Sequence, residues 1–258
     1  MEALITYLPY FLLVFVRLTS FFVSAPIFSM RGVPNHFKIG LAFVVALVSS
    51  FYVPFQDKIP MDLSFILYAV KEVLIGLLLG LITQMLFYAV QIAGGLIDMQ
   101  AGFAMANVID PRTGAYVPLT GNFNNILATF YFLSIDGHHM LIRGVIASYK
   151  AIPIDRMWAP FGSENLFMYI VKVFSEMFTS AFLIAAPVVV ALFLVDLSLG
   201  IIAKTVPQFN IFVVGMPIKV FATFLMLIVV LPALFMVLNG LFQNMFSAMS
   251  KIIVLLGG

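Results

Sequence analysis

The chain contains no cysteine. Disulfides, thiolate metal centres and a thiol nucleophile are all excluded. Charge is almost as scarce. Thirteen Lys and Arg and eleven Asp and Glu make up 9% of the 258 residues, against a hydrophobic share of 63%. Soluble domains carry about 25% charged and about 45–50% apolar residues. A water-soluble fold could not cover this much apolar surface with so few charges, and the mean hydropathy of +1.15 agrees. The chain reads as an integral membrane protein. Its net charge of +2 supplies no basic field for nucleic acid. There are three histidines, no Gly-x-Ser-x-Gly elbow and no nucleotide-binding loop, so no cofactor is expected. The N-terminal MEALITYLPYF carries Glu2 and no basic run. A cleaved signal peptide is not expected, and the first hydrophobic segment should be retained.

What the chain does have is long apolar runs. Ile39–Gln56, Val73–Ile97, Met177–Val195 and Val220–Ser250 carry no charged residue. Each is near or above the roughly 18–20 residues that span a bilayer core. Barrels need short alternating segments instead, so the expected fold is all-α and multi-pass. Six bent segments are expected at about 3–30, 39–56, 65–93, 123–142, 167–203 and 218–240, with an apolar tail to 258. Arg31–Lys38 and Lys204–Lys219 are basic and free of acid, which places both on the cytoplasmic side and both termini outside. Pro9, Pro26, Pro187, Pro217 and Pro232 fall in or beside the segments. Proline removes a helix hydrogen bond, and such breaks survive in lipid where protein or a wet cavity satisfies the freed groups. The pattern points to helices that face protein, as in a larger assembly.

Arg17, Lys71, Glu72, Lys172, Glu176 and Asp196 lie in or against the apolar runs. A charge at the bilayer centre costs about 2.5–3.5 kcal/mol even on the gentler scale. Each therefore needs a partner, a cavity or an interfacial position. Structural pairing or snorkelling, an ion or proton pathway, and contacts between subunits are the three readings. Lys172 and Glu176 are spaced to pair on one helix face.

Asp136-Gly137-His138-His139 resembles part of a triad or metal site. Adjacent histidines point about 100° apart on a helix, whereas a chelating pair favours i, i+4. His36 is the only other histidine. The block reads as a turn with the histidines at a helix end, and no metal or catalytic residue is expected. Gly76-Leu-Leu-Leu-Gly80 is a small-xxx-small motif for close helix approach. Gly94–Gly121 is too apolar for a solvated loop and too rich in Gly and Pro for a helix. It reads as re-entrant or packed on neighbouring subunits.

Several blocks carry a family resemblance: Pro26-Ile-Phe-Ser, Leu96-Ile-Asp-Met-Gln100, Asp110-Pro111, Asp136-Gly-His-His139, and Asp196-Leu-Ser-Leu-Gly200 leading into Pro207-Gln-Phe-Asn210 and Pro217-Ile-Lys219. Over essentially its whole length the chain resembles the FliR/SctT-type family of export-gate subunits shared by flagellar and type III secretion systems. The Asp-Gly-His-His block leans to the flagellar branch. The resemblance implies a helical assembly with FliP-type and FliQ-type subunits, with FlhB-type and FlhA-type proteins at the cytoplasmic entrance. It implies a place in the bacterial cytoplasmic membrane at the flagellar basal body, with unfolded flagellar proteins as cargo. It further implies a FliP-like part over 1–165 and a FliQ-like two-helix hairpin over 166–258. A plug would lie within the loop at about 94–121, with Met105, Asn107, Asp110, Pro111, Gly114 and Gly121 at the pore. Lys204, Pro207, Gln208, Asn210 and Lys219 would form a cytoplasmic gate tip, with Pro217 opening the second helix of the hairpin.

The resemblance implies no catalysis. Two rivals remain on the residues alone. A secondary transporter would use the broken helices, but no convincing inverted repeat is visible. An intramembrane enzyme built on Asp136 and His139 lacks a nucleophile partner.

Overall fold

The computed structural model describes residues 2–30, 32–50, 59, 62–103, 118–206 and 210–257. Among them lie seven helices and no strand: α1 Glu2–Ser24, α2 Asn35–Ser50, α3 Leu63–Ala101, α4 Leu119–Ser134, α5 Gly137–Ala151, α6 Glu164–Thr205 and α7 Ile211–Gly257. The fold is all-α, as composition requires. Four helices, α1, α3, α6 and α7, are long and apolar enough to cross a membrane.

Three features depart from the sequence expectation. First, α3 runs through Gly94 and Gly95 to Ala101, and α4 begins at Leu119. Both ends of the expected loop are therefore helical. Close approach is the reason: a Cβ on Gly94 would overlap the backbone of Gly121. These glycines are contact residues, and packing outweighs their helix-breaking tendency. Second, the apolar segment at 123–142 is two helices, parted at Ile135–Asp136, where Asp136 is left-handed with φ 56°. Third, Pro9, Pro187, Pro217 and Pro232 sit inside continuous helices. Pro217 lies beyond the first turn of α7 and does not open it. Each proline removes one hydrogen bond while the ladder continues on either side.

The chain divides into two compact units. The first comprises Met1–Phe87, Asp136–Phe174 and Gln243–Gly258. Here α1 buries Leu13, Val14, Leu18 and Phe21, and α3 buries Ile75, Leu79 and Ile82. Gly76 abuts Ser20 and the Arg17 carbonyl, and Gly80 abuts Ser24. The small-xxx-small motif thus serves contact with α1 of the same chain. Phe11 meets Phe43 of α2 edge-on at 5.4 Å. Gly144 of α5 faces Met249 near the end of α7.

The second unit comprises Tyr88–Ile135 and Ser175–Phe242. Besides the Gly94–Gly121 approach, Phe132 of α4 packs edge-on against Phe242 of α7 at 4.9 Å, and Tyr131 lies 5.4 Å from Phe235.

Candidate functional site

Two polar constructions hold most of the charges singled out in the sequence. The one in the first unit centres on Arg17, fully buried in α1. Its guanidinium forms a bidentate pair with Glu72 of α3: Nε to Oε2, and Nη2 to Oε1 at 3.0 Å. Nη1 donates to Ser148 Oγ at 2.9 Å, and Nη2 also donates to the Ile152 carbonyl at 3.0 Å. The Tyr149 ring lies 4.2 Å from the guanidinium carbon, within cation–π range. The Tyr149 hydroxyl donates to the Val14 carbonyl at 3.0 Å. Burial pushes the Tyr149 phenol up, so it stays protonated and keeps donating.

Lys71 completes this construction. Its Nζ lies 2.9 Å from Glu72 Oε1. It also donates to the carbonyls of Pro153, Ile154 and Arg156 at 3.1, 3.0 and 2.6 Å. Two cations thus share one carboxylate. The surplus positive charge is met by backbone carbonyls just past the end of α5. That is the negative end of the helix dipole, where cations are stabilised. The arrangement fastens α1, α3 and the segment after α5 together.

The second construction joins α3, α4, α6 and α7 within the second unit. The Asp98 carboxylate accepts the Thr120 backbone N–H at 3.1 and 3.2 Å, and also the Thr120 hydroxyl. Pro118 at the N-cap of α4 makes no side-chain cap. Asp98 therefore satisfies one of the N–H groups that a helix start leaves open. Two residues further on, Gln100 Nε2 donates to Asp196 Oδ2 of α6 at 2.8 Å. Asp196 in turn pairs with Lys219 of α7 at 2.9 Å. Phe103 lies 6.2 Å from Phe224. Beside it opens an apolar cavity of about 560 Å³ lined by Phe103, Leu119, Phe123, Phe224 and Ile228, among others. Phe103 and Leu119 lie beside the two ends of the stretch 104–117.

Some sequence candidates are joined here and others are not. Asp196 and Lys219, expected respectively as a buried charge and a tip residue, are one ion pair. Lys204 is in the last turn of α6. Asn210 precedes α7, and its Oδ1 accepts the Val213 N–H at 3.4 Å as an N-cap does. Gly121 is the close-approach residue of α4. Lys172 and Glu176 both lie on α6. Met105, Asn107, Asp110, Pro111, Gly114, Pro207 and Gln208 lie outside the described residues. Asp98, Gln100, Ser148 and Tyr149 were not candidates. Only Asp98 and Gln100 carried a signal, as polar residues in an apolar stretch.

Asp136, His138 and His139 form a turn with the histidines at the start of α5, as the block reads in the sequence. His139 Nδ1 is 3.2 Å from Asp136 Oδ1, and the two imidazole rings are 4.0 Å apart. The left-handed Asp136 turns its carboxylate onto the first turn of α5, and it makes no side-chain cap there.

Comparison with known proteins places this architecture among relatives. The model of the family described as "Bacterial export proteins, family 1" matches residues 8–245. The chain is 45% identical to the flagellar biosynthetic protein FliR of Bacillus subtilis (strain 168), over 100% of this chain and 99% of the relative. It is 30% identical to FliR of Escherichia coli (strain K12), over 92% and 90% of the two chains. It is 31% identical to the Yop proteins translocation protein T of Yersinia pestis, over 62% and 60%.

Proposed function

Because the chain belongs to family 1 of the bacterial export proteins, we propose that it is a subunit of a flagellar type III export gate. It forms part of the channel through which unfolded flagellar proteins cross the cytoplasmic membrane at the basal body, and flagellum assembly requires it. The carrying observation is α7. It has 47 residues, a length of about 70 Å at 1.5 Å per residue, against a hydrocarbon core of about 30 Å. Only 11% of its most apolar window is buried within the chain. For α6, with 42 residues, the share is 28%. Lipid can cover a bilayer's depth of such helices. The excess length calls for other protein, which fits a hetero-oligomer with FliP-type and FliQ-type subunits. FlhB-type and FlhA-type proteins would meet it at the cytoplasmic entrance.

Within this reading, residues 1–165 form a FliP-like part and 166–258 a FliQ-like hairpin of α6 and α7. The hairpin's connection, with Lys204, Pro207, Gln208 and Asn210, is the cytoplasmic tip. The stretch around Met105–Gly121 is the plug, held at its base by the Asp98–Thr120 and Gln100–Asp196 contacts. The gate has no catalytic role. The flagellar branch is favoured because the FliR relative of Bacillus subtilis matches over the whole chain, while the Yersinia protein matches over 62% of it.

Co-expression with FliP-type and FliQ-type proteins, followed by native mass spectrometry, tests the assignment. A defined hetero-oligomer containing this chain is expected. A monodisperse chain that ignores both partners would sink the proposal and bring the transporter forward.

A further inference from the structure

Asp136, His138 and His139 can each offer one ligand atom, and the three atoms lie within 4.8 Å of one another. Among the described residues this is the one group of three His, Asp or Glu side chains so arranged. We propose that it binds a divalent transition-metal ion of borderline softness, with Zn²⁺ as the reference ion.

Imidazole nitrogen and carboxylate oxygen bind Zn²⁺ at about 2.0–2.2 Å, so two ligands of a tetrahedral site are about 3.3 Å apart. The 3.2 Å between His139 Nδ1 and Asp136 Oδ1 already has that spacing. The third ligand atom lies within 4.8 Å of the other two, and a side-chain rotation brings it to that spacing. His138 Nδ1 is buried and has no hydrogen-bond partner among the described residues. Coordination through Nδ1 would give this unpaired buried nitrogen a partner.

Exposure and charge fit the same ion. Asp136 and His139 are 76% and 61% exposed, so the ion has access and water fills the remaining positions. The start of α5 is the positive end of a helix dipole and disfavours a cation. The Asp136 carboxylate offsets this, and it is free of helix-capping duty. Two imidazoles with one carboxylate select Zn²⁺, Ni²⁺ or Cu²⁺ over Mg²⁺ or Ca²⁺, which prefer oxygen ligands. Bound metal would lock the α4–α5 corner by tying residue 136 to the first turn of α5.

The test uses the full chain in detergent micelles, purified through a tag that contains no histidine. Zn²⁺ is titrated in competition with a chromophoric chelator. One equivalent is expected to bind, with affinity reduced more than about tenfold in His138→Ala and in His139→Ala, and unchanged in His36→Ala. No binding above background, or binding indifferent to both substitutions, overturns the site. Should either variant fail to fold, electron paramagnetic resonance of the unsubstituted chain with one equivalent of Cu²⁺ decides. Coupling to two imidazole nitrogens is expected, and none or one overturns the proposal.

Discussion

Asp98, three residues from the end of α3, caps a helix other than its own: its carboxylate receives the backbone N–H of Thr120 in the first turn of α4. The two residues stand on either side of the stretch 104–117, so one carboxylate ties its flanks together. A charge-assisted hydrogen bond is worth about 1.5–3 kcal/mol when a buried partner is removed. Asp98→Ala should therefore lower the stability of the purified chain by about that amount. Thr120→Val removes only the hydroxyl and should cost less. Thermal unfolding in detergent measures both, and an unshifted midpoint in Asp98→Ala would contradict the capping role.

Glu72 pairs with two buried cations, Arg17 and Lys71. Breaking a buried pair from one side leaves an uncompensated charge and costs about 3–5 kcal/mol. Glu72→Ala should approach or exceed that loss. The double substitution Arg17→Met, Glu72→Leu should cost clearly less than the two single losses combined, because the guanidinium is no longer stranded and Lys71 keeps the carbonyls of Pro153, Ile154 and Arg156. Simple additivity across the cycle would show that the two side chains are not coupled.

How far these sites were legible in the sequence differs residue by residue. Arg17, Lys71 and Glu72 stood out because a charge in an apolar run must find a partner. The partners did not stand out: Ser148 and the carbonyls of Ile152 to Arg156 are ordinary residues that only tertiary packing brings to α1 and α3. The all-α fold followed from composition and run length. The extent of α3 did not, because Gly94 and Gly95 break helices in isolation. The approach of Gly121 explains Gly94 within the helix, while Gly95 has only an ordinary contact with Pro118. The prolines misled in the same direction, since a missing hydrogen bond does not by itself end a helix. Asp136 and the two histidines were judged by regular helical spacing. The left-handed backbone at Asp136 makes the expected turn, and the histidines follow it in the first turn of α5.

The glycines give a contrast that can be measured on one protein. A Cβ on Gly94 would overlap the Gly121 backbone, which cannot move aside as a flexible side chain can. A Cβ on Gly40 in α2 would meet nothing within 4 Å. Gly94→Ala should therefore destabilise the chain by more than about 1 kcal/mol, in the range of overpacked cores. Gly40→Ala should stabilise it by up to about 1 kcal/mol through helix propensity. Equal shifts in the two variants would refute the close approach of α3 and α4.

Asp196 and Lys219 form the link between α6 and α7, and Gln100 adds α3 to it. The pair is part-exposed, so its worth is modest, about 1 kcal/mol or less. Its expected importance lies in register, because a salt bridge between two long helices fixes how one lies along the other. Asp196→Lys opposes two cations and, on the proposed role in flagellar export, should abolish swarming while reducing the chain's level only slightly. Adding Lys219→Asp restores the attraction with reversed polarity. It strands Gln100 Nε2 against a lysine, although the amide can turn its oxygen to the ammonium group. Partial recovery of swarming in the double variant, with none in either single variant, is the expected outcome. If the double variant is no better than the worse single one, the individual charges act through other neighbours and the pair does not set the register of α6 and α7.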